Sequence, residues 1–488
     1  MAEHSVTVEN TLQTLLADKK YATIRDILVT MNPADIAAVF SGVEQEKLPL
    51  LFRLLPKELA AESFVEMESE EQEALIKGIS DSELREVMDE LYVDDAADIV
   101  EEMPANVVQR ILAQSDPQMR KEINEILQYP ENSAGSVMTT EYVKLSPGMT
   151  VGDAILRIRR TGVDKETIYT CYVLDNRILV GTVSVKSLLL APNDLQTIDS
   201  VMDENVITVT THTDQEEVAR MMSKYNLLAI PVVDRDNRMV GIVTFDDAMD
   251  VMEDEATEDI EIMAGMTPSD KTYLRSSPFD LFKHRIPWLS LLMISATFTG
   301  LIISGFEDRL AALVCLTAFI PMLMDTGGNS GSQSSVTVIR ALSLGELEFA
   351  DLPKVIWKEF RTALICGGVL ALLCFGKVML IDHLLLKTDG VDFMVALVIA
   401  MTMAVTVVCA KMVGCTLPML AKKLGFDPAV MASPFITTIV DALSLLVYFG
   451  IASALLPALR EAAAVPADAT SIVKQITDHL ALAARSMH

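Results

Sequence analysis

The chain has 488 residues, is 51% hydrophobic and has a mean hydropathy of +0.35, which excludes a purely water-soluble protein. Its formal net charge of −29 is unevenly spread. About 51 of the 68 acidic residues and about 22 of the 39 basic residues lie at or before Ile262, so this part carries the whole net charge. Such a field repels nucleic acid and attracts cations. The six cysteines show no paired or CxxC spacing, which argues against a disulfide or zinc framework.

The first 130 residues show apolar positions at helical spacing, separated by short polar segments. A degenerate repeat recurs in this region at Ala34–Phe40, Lys57–Phe64, Ser82–Met88 and Ala97–Met103. The pattern predicts an all-α superhelical domain over residues 1–130, in which stacked short helices bury their apolar faces. Asp94 and Asp98 fall one turn apart on one helix face, either as a solvated acidic surface or as cation ligands.

From Ser133 the pattern changes to β-branched runs that alternate with helical segments, and this unit occurs twice. It resembles a tandem pair of CBS domains, at residues 131–200 and 201–258. In that family a Gly-h-h-Thr/Ser-x-x-Asp element holds an adenosine nucleotide, and Gly241, Thr244 and Asp247 match it. The first copy has Ser187 in place of the acid. The resemblance therefore implies at most one site per chain for ATP or another adenine nucleotide, and a pair that only dimerises the chain is the alternative.

The run from Asp246 to Glu261 is dominated by acids. A charge run is usually a solvated helix face. However, like charges one turn apart destabilise a helix by about 0.2–0.5 kcal/mol per pair, which favours neutralisation by cations. The candidate cation ligands here are Asp247, Asp250, Glu255, Glu258 and Asp259. Residues 259–285 are expected to form a connecting helix into the membrane, from about Pro268 to Lys283.

A membrane domain is predicted over residues 286–459, with five apolar segments at Ile286–Phe306, Leu310–Ile339, Thr362–Ile381, Phe393–Val413 and Val430–Leu456. Basic residues cluster in the second and fourth connections between these segments. The positive-inside rule then places the N-terminal half in the cytoplasm and the C-terminus outside. The absence of a signal-peptide pattern at the N-terminus agrees with this orientation. The tail of residues 460–488 is assigned no function.

Two polar features interrupt the apolar segments. The stretch Pro321–Ser335 places Asp325, three glycines and a row of amides and hydroxyls at membrane depth, where freed backbone must be shielded by protein or water. The last segment carries Asp441 on a stripe with Ser433, Thr437 and Ser444. An intramembrane acid indicates function. No fixed counter-charge is evident, because Arg340 and Lys411 lie near segment ends and can extend to the interface.

Oxygen ligands suit hard cations. Mg²⁺ keeps several waters and usually binds through one or two carboxylates, so one carboxylate per chain is enough if a two-fold axis supplies a second. No segment offers Cys or His at transition-metal spacing.

The order of these parts, with GGNxGxQ after an apolar run and an Asp in the fifth span, resembles the MgtE family of bacterial magnesium channels. The resemblance implies a homodimer in the cell membrane with a cytoplasmic magnesium sensor and a pore on the dimer axis. The family's pore aspartate falls on Asp441, with Thr437 beside it. Its glycine-asparagine stretch falls on Gly327, Gly328 and Asn329. Ser433 and Asp325 depart from the residues found in some members.

The implied mechanism is gating by charge: the acids repel one another when Mg²⁺ is scarce, and Mg²⁺ bridges them and closes the pore when it is abundant. A secondary carrier coupled to Na⁺ or H⁺ would use the same intramembrane acids and is the alternative. An enzyme is not expected, because Asp246 and Asp247 have no accompanying nucleophile or metal triad. Selectivity among Mg²⁺, Mn²⁺, Co²⁺ and Ca²⁺ stays open.

Overall fold

The structure is a computed structural model that describes residues 11–269, 273–274, 276–431, 433–456 and 459, without the side chains of residues 164, 308 and 433. The chain divides into two compact units, Met1–Glu253 and Asp254–His488. The predicted tail, residues 460–488, lies outside the described residues.

The first part of unit one is all-α, which confirms the prediction from the repeats. Helix α3 packs on α5, α5 on α7 and α7 on α9, so each repeat covers the apolar face of the next. One hydrophobic core runs through this stack from Leu12 to Ile126. The helices are α1 (11–17), α2 (Tyr21–Leu28), α3 (Pro33–Ser41), α4 (Leu48–Phe52), α5 (Lys57–Val65), α6 (Ser69–Gly78), α7 (Asp81–Met88), α8 (Val93–Glu102), α9 (Ala105–Gln114) and α10 (Pro117–Ile126).

The second part of unit one contains the two α/β copies. In each copy the first strand pairs parallel with the second, and the second pairs antiparallel with the third. A helix of 11 residues joins the two parallel strands, as such a crossover requires. The first copy comprises β1 (Tyr142–Leu145), α11 (Val151–Thr161), β2 (Thr167–Asp175), β3 (Ile178–Ser184) and α12 (Val185–Leu189). The second comprises β4 (Val209–Thr210), α13 (Gln215–Tyr225), β5 (Ala229–Val233), β6 (Met239–Thr244) and the start of α14 (Phe245–Met263).

The connecting helix lies earlier in the chain than the sequence indicated. The acidic run forms a continuous helix, α14, which ends at Met263, and the described residues that follow up to 269 are not helical. The next helix begins at Pro278, because Ser277 forms a capping box with Asp280 and proline suits the first helical position. The helix expected from about Pro268 to Lys283 is therefore wrong, and α14 itself is the connecting helix.

Unit two contains long apolar helices: α15 (Pro278–Gly305), α17 (Ile320–Ser343), α18 (Leu352–Lys377), α19 (Phe393–Lys423) and α20 (Ser433–Leu455), with a short α16 (Glu307–Ala312) before α17. In the described part of the chain, four segments are long and apolar enough to cross a membrane: Pro278–Gly305, Phe349–Leu385, Phe393–Lys423 and Pro428–Leu455. The helix α17 carries the polar stretch. Helix α19 lies at the centre, packed against α17, α18 and α20.

Candidate functional site

The polar stretch of α17 is helical throughout, so the expectation of freed backbone at its glycines is wrong. The glycines instead allow close packing. A Cβ atom at Gly327 would lie 2.9 Å from Oγ of Ser444, and one at Gly328 would lie 3.0 Å from Cγ2 of Thr437. Both glycines are buried. These two glycines therefore pack against α19 and α20, on a different side of α17 from the exposed Asn329 with which the sequence had grouped them.

The opposite face of α17 is polar and exposed. Asp325, Asn329, Gln333 and Thr337 recur every fourth residue along it. Nδ2 of Asn329 donates a hydrogen bond to Oδ1 of Asp325 at 3.1 Å. An exposed row of carboxylate, amide and hydroxyl groups is unstable against lipid, so this face requires water or another protein surface.

Helix α20 places its acid beside this face. Gly328 and Gly327 of α17 pack near Thr437 and Ser444 of α20, and Asp441 lies between these two residues along α20. Asp441 is half-buried, and the carboxylate of Asp325 is close enough to repel it electrostatically. The fold thus brings together the two predicted features of the membrane domain, the glycine-asparagine stretch and the aspartate of the last span.

Two other members of the predicted stripe on α20, Thr437 and Ser444, form hydrogen bonds with backbone carbonyls of their own helix. Oγ1 of Thr437 donates to the carbonyl oxygen of Pro434 at 2.9 Å, which leaves its oxygen able to accept. Ser444 is buried and donates to the carbonyl oxygen of Val440, so it faces the packing side and not the acid. The side chain of Ser433 lies outside the described residues.

In unit one, Asp94 and Asp98 lie on α8 beside Asp247. Asp94 is 7% exposed, and within the described residues its Oδ1 has no hydrogen-bond partner. Burial, then the charges of Asp95 and Asp247, hold the pKa of Asp94 well above its ordinary value. Burial of its carboxylate, then the charges of Asp95 and Asp247, raise the pKa of Asp98 to about 7, although part of its side chain reaches solvent.

Three further acids, which no pattern in the sequence indicated, complete this cluster. Burial and the charges of Asp247 and Asp246 raise the pKa of Asp95 to about 7. Burial and the charges of Asp247 and Asp95 raise that of Glu166 to about 8. Glu141, which accepts from Oγ1 of Thr139 at 2.8 Å, also has a raised pKa, because of burial. Glu141 and Glu166 belong to the first α/β copy, and no spacing in the sequence relates them to α8.

We define the acidic cluster as Asp94, Asp95, Asp98, Glu141, Glu166 and Asp247. The neighbouring charges that raise the pKa values of Asp94, Asp95 and Asp98 are all acidic, so these three groups are crowded by negative charge. Like charges in partly desolvated positions favour binding of protons or cations. No group of three or more Asp, Glu, His or Cys side chains in the described residues has the geometry of a closed metal cage. Mg²⁺ does not need one, since it is usually held by one or two carboxylates and several waters.

The acids of α14 lie along one helix. Asp247 and Asp250 belong to unit one, whereas Glu255, Glu258 and Asp259 belong to unit two. Burial raises the pKa of Asp250. Asp259 accepts a hydrogen bond from Oγ of Ser343, the last residue of α17, at 3.1 Å.

The C-terminal end of α14 and the residues after it pack against the membrane helices within unit two. Ile262 and Met263 contact Ile339 of α17 and Ala429 before α20. Gly265 has a positive φ of +72°, which suits glycine, and a Cβ atom there would lie 3.0 Å from Cγ of Pro434 at the start of α20. This end of α14 is therefore seated where α17 ends and α20 begins.

The residues matched to a nucleotide element have local roles in the second copy. A Cβ atom at Gly241 would lie 2.7 Å from the carbonyl oxygen of Thr139, so glycine permits a close backbone approach. Oγ1 of Thr244 donates to Oδ2 of Asp247 at 2.5 Å, at the start of α14. Asp247 also belongs to the acidic cluster, which disfavours an anionic phosphate beside it.

A cavity of about 480 Å³ lies beside the first copy, at the position equivalent to Thr244 and Asp247. Ser184 and Ser187 line it, with their hydroxyl oxygens 2.8 Å apart. Asp203 and Asn205 contribute polar groups, and the segment Asn226–Ala229 of the second copy closes one side. The sequence pattern had pointed away from this copy, because it lacks the acid.

These features define a multi-pass membrane protein: a helical stack and a CBS-type pair precede a bundle in which an exposed polar helix face adjoins an intramembrane aspartate. Family profiles match it in the same order. Residues 31–132 match the MgtE intracellular N domain, 134–194 and 198–254 match CBS domains, and 320–451 match MgtE, described as a divalent cation transporter.

The chain is 37% identical over 453 residues to the magnesium transporter MgtE of Thermus thermophilus, covering 92% of this chain and 98% of that protein. It is 33% identical over 446 residues to the magnesium transporter MgtE of Bacillus subtilis, covering 91% and 96%. The chain therefore belongs to the MgtE family. A solved structure of the cytosolic domain of the Mg²⁺ channel MgtE in complex with ATP is 38% identical and covers 50% of this chain and 99% of that one, with a TM-score of 0.48.

Proposed function

We propose that this protein is a magnesium-selective channel that mediates Mg²⁺ uptake down the membrane potential. The observation that carries the proposal is the exposed face of Asp325 and Asn329 on α17 next to Asp441 on α20. These groups offer oxygen ligands at membrane depth, which suit a hard cation that keeps part of its water shell. The relatives named as magnesium transporters support Mg²⁺ as the ion.

A homodimer supplies what one chain lacks. The polar face of α17 needs cover, and a second copy related by a two-fold axis would place its own polar face and Asp441 opposite the first. The carboxylates of Asp325 and Asp441 and the amide of Asn329 from each chain, four carboxylates and two amides in all, would then surround a hydrated ion. With the N-terminal half cytoplasmic, inward flow needs no coupled ion, since a divalent cation gains roughly 4.6 kcal/mol per 100 mV of membrane potential.

The acidic cluster is the proposed cytoplasmic Mg²⁺ sensor, together with Asp250, Glu255, Glu258 and Asp259 of α14. The support is the burial of these carboxylates and their crowding, which together raise the pKa of Asp94, Asp95 and Asp98. Mg²⁺ that binds more tightly when these acids are close together would shift the protein toward the closed state of the channel. Met263 packs against Ile339 of α17, and Gly265 lies against Pro434 at the start of α20. A movement of α14 would therefore act directly on the two helices that carry the proposed ion-path residues.

Adenine nucleotide is proposed as a ligand of the CBS pair. The sequence element assigns it to Thr244 and Asp247, whereas the cavity and the negative charge around Asp247 favour the first copy at Ser184 and Ser187. Calorimetric titration of the purified protein with ATP and AMP separates these sites. Loss of binding in Asp203→Ala places the nucleotide in the cavity, and loss in Asp247→Ala places it in the second copy.

The transport proposal is tested by Mg²⁺ flux into liposomes that contain the purified protein. Asp441→Asn keeps the shape of the side chain and removes its charge, so we expect loss of flux with an intact folded protein. The matched control is Asp389→Asn, an exposed acid in the loop before α19, which should conduct normally. Flux at the wild-type rate in the Asp441 variant contradicts the proposal.

A secondary carrier remains the second candidate, because intramembrane acids such as Asp325 and Asp441 also serve coupled transport. Unitary current steps in planar bilayers exclude it. Flux that saturates and disappears without a Na⁺ or H⁺ gradient supports it. Parallel measurements with Mn²⁺, Co²⁺ and Ca²⁺ give the selectivity.

A further inference from the structure

Three polar residues from three helices meet inside the membrane domain, away from the exposed face of α17. Lys411 of α19 is 5% exposed and Ser334 of α17 is 2% exposed. Nζ of Lys411 donates to Oγ of Ser334 at 3.1 Å, and that hydroxyl donates to Oε2 of Glu359 on α18 at 2.7 Å. The expectation that Lys411 reaches the membrane surface is therefore wrong.

The hydroxyl of Ser334 connects the two charges. Nζ of Lys411 and Oε2 of Glu359 are 4.0 Å apart, which is too long for a direct hydrogen bond. The serine oxygen accepts a hydrogen bond from the ammonium group, and the serine hydroxyl donates one to the carboxylate, so hydrogen bonds link all three groups. A lysine and a glutamate are costly inside a membrane unless they are paired in this way.

This cluster lies on the back of the helix that carries the ion-path residues. Ser334 follows Asn329 by five residues, which at about 100° per residue places it about 140° around α17. Asn329 is exposed on one side while Ser334 is tied to α18 and α19 on the other. The rotation of α17 about its own axis, and hence the direction of Asn329 and Asp325, depends on which residues are held at the back.

Further contacts hold the same half of α17. Oγ of Ser335 donates to the carbonyl oxygen of Met431 just before α20, at 2.9 Å. Nζ of Lys422 donates to the carbonyl oxygen of Leu342 near the end of α17, also at 2.9 Å. Backbone carbonyls accept both of these bonds. Of these three contacts between described residues, the one that joins Lys411, Ser334 and Glu359 combines opposite charges, so it is the strongest candidate for holding the helix in one orientation.

We infer that Lys411, Ser334 and Glu359 form an interhelical lock that sets the rotation of α17 and so positions Asn329 and Asp325 for the ion. The lock rests on the proposed function for its consequence in transport, but not for its existence. Its members are positioning residues, since they lie behind the ion path. The net charge of the lock is zero, which leaves Asp325 and Asp441 as the charges that face a cation.

The test uses the full-length protein in liposomes, with Mg²⁺ flux measured over a range of Mg²⁺ concentrations. Ser334→Ala removes the bridging hydroxyl and keeps both charges, and Lys411→Met removes the cation. We expect each to raise the half-maximal Mg²⁺ concentration about tenfold, which corresponds to about 1.4 kcal/mol. The exchange of Lys411→Glu with Glu359→Lys should recover most of this loss, because it restores the pair.

The matched control is Lys377→Met, which breaks the 2.8 Å ion pair with Asp382 at the other end of α18 and should leave the half-maximal concentration unchanged. An unchanged value in folded Ser334→Ala overturns the lock. Failure of the exchange to recover more flux than Lys411→Met alone also overturns it. If Lys411→Met does not fold, Ser334→Ala decides.

A wild-type protein that passes no Mg²⁺ refutes the proposed function and leaves the lock to be judged by thermal unfolding. Lys411→Met, Glu359→Gln and the double variant then form a cycle in detergent. Non-additive changes in Tm support a coupled pair, and additive changes contradict it.

Discussion

The acidic cluster predicts that removal of one carboxylate stabilises the protein when Mg²⁺ is absent. Asp95 is the best position to change, because it is partly buried and faces Asp247, Asp246 and Glu141. Asp95→Asn keeps the size of the side chain and removes one repelling charge. We expect the variant to unfold at a higher temperature than the wild type at pH 8 in the presence of a chelator.

The magnitude follows from the pKa of Asp95, which is raised from 3.8 to about 7. This rise corresponds to about 4 kcal/mol. It is an upper bound, because it combines burial, the largest cause, with repulsion that the neighbouring acids share and that solvent partly screens. A net gain of about 1–2 kcal/mol is expected for one carboxylate. In a unit of this size such a gain raises Tm by about 2–8 °C.

The sign of the pH dependence is set by the direction of the shift. A carboxyl whose pKa is higher in the folded state favours folding at pH values below its unfolded pKa, and this favourable contribution is lost as the pH rises through the folded pKa. The wild-type Tm without metal should therefore fall between about pH 4 and pH 8, the interval that includes the raised pKa values of Asp95 and Glu166. The benefit of Asp95→Asn should disappear at the acid end.

The measurement is Tm by differential scanning fluorimetry at pH 4.5 and pH 8, with chelator and with saturating Mg²⁺. Asp26→Asn, an exposed acid on α2, serves as the control and should leave Tm unchanged in every condition. Mg²⁺ should raise the wild-type Tm more than that of the Asp95 variant at pH 8. An equal Tm difference between variant and wild type at both pH values refutes the reasoning.

Three further predictions concern transport and packing. Neutralisation of the predicted sensor acids should flatten the dependence of open probability on cytoplasmic Mg²⁺ in membrane patches. An unchanged slope would place the sensor elsewhere. The acids to be changed to Asn or Gln are Asp94, Asp98, Asp247, Asp250, Glu255, Glu258 and Asp259. Gly328→Val should abolish flux and lower Tm, because its side chain would meet Thr437 of α20; a conducting variant with normal Tm contradicts close packing. Asp325→Asn should raise the half-maximal Mg²⁺ concentration for flux by about tenfold, whereas an unchanged value would remove Asp325 from the ion path.

The helical stack and the α/β pair could be predicted because their signals are local. Apolar positions at helical spacing are visible in any window around Ala34–Phe40, and the second copy shows its strands and its Gly241–Thr244–Asp247 element within a few residues. The asparagine stretch and Asp441 could be singled out for a related reason: a polar group inside an apolar run is costly wherever it faces lipid.

Predictions that depended on contacts between distant segments fared less well. Lys411 is buried because Glu359 and Ser334 lie on neighbouring helices, and no local pattern connects these three positions. Likewise, Glu166 joins Asp95 only because the first α/β copy folds against α8. The cavity at Ser184 is formed by both copies, so the missing acid at Ser187 did not indicate where space would be found.

The sequence by itself therefore determined the types and order of the elements, the family, and the acid and amide at membrane depth, because helical periodicity, strand alternation and the cost of polar groups in lipid act on neighbouring residues. The tertiary structure alone decided which face each residue occupies. It showed that the glycines of α17 pack against α20, that Asn329 points away from them, and that α14 ends where α17 and α20 meet. These are pairings of surfaces, and surfaces meet only after the chain has folded.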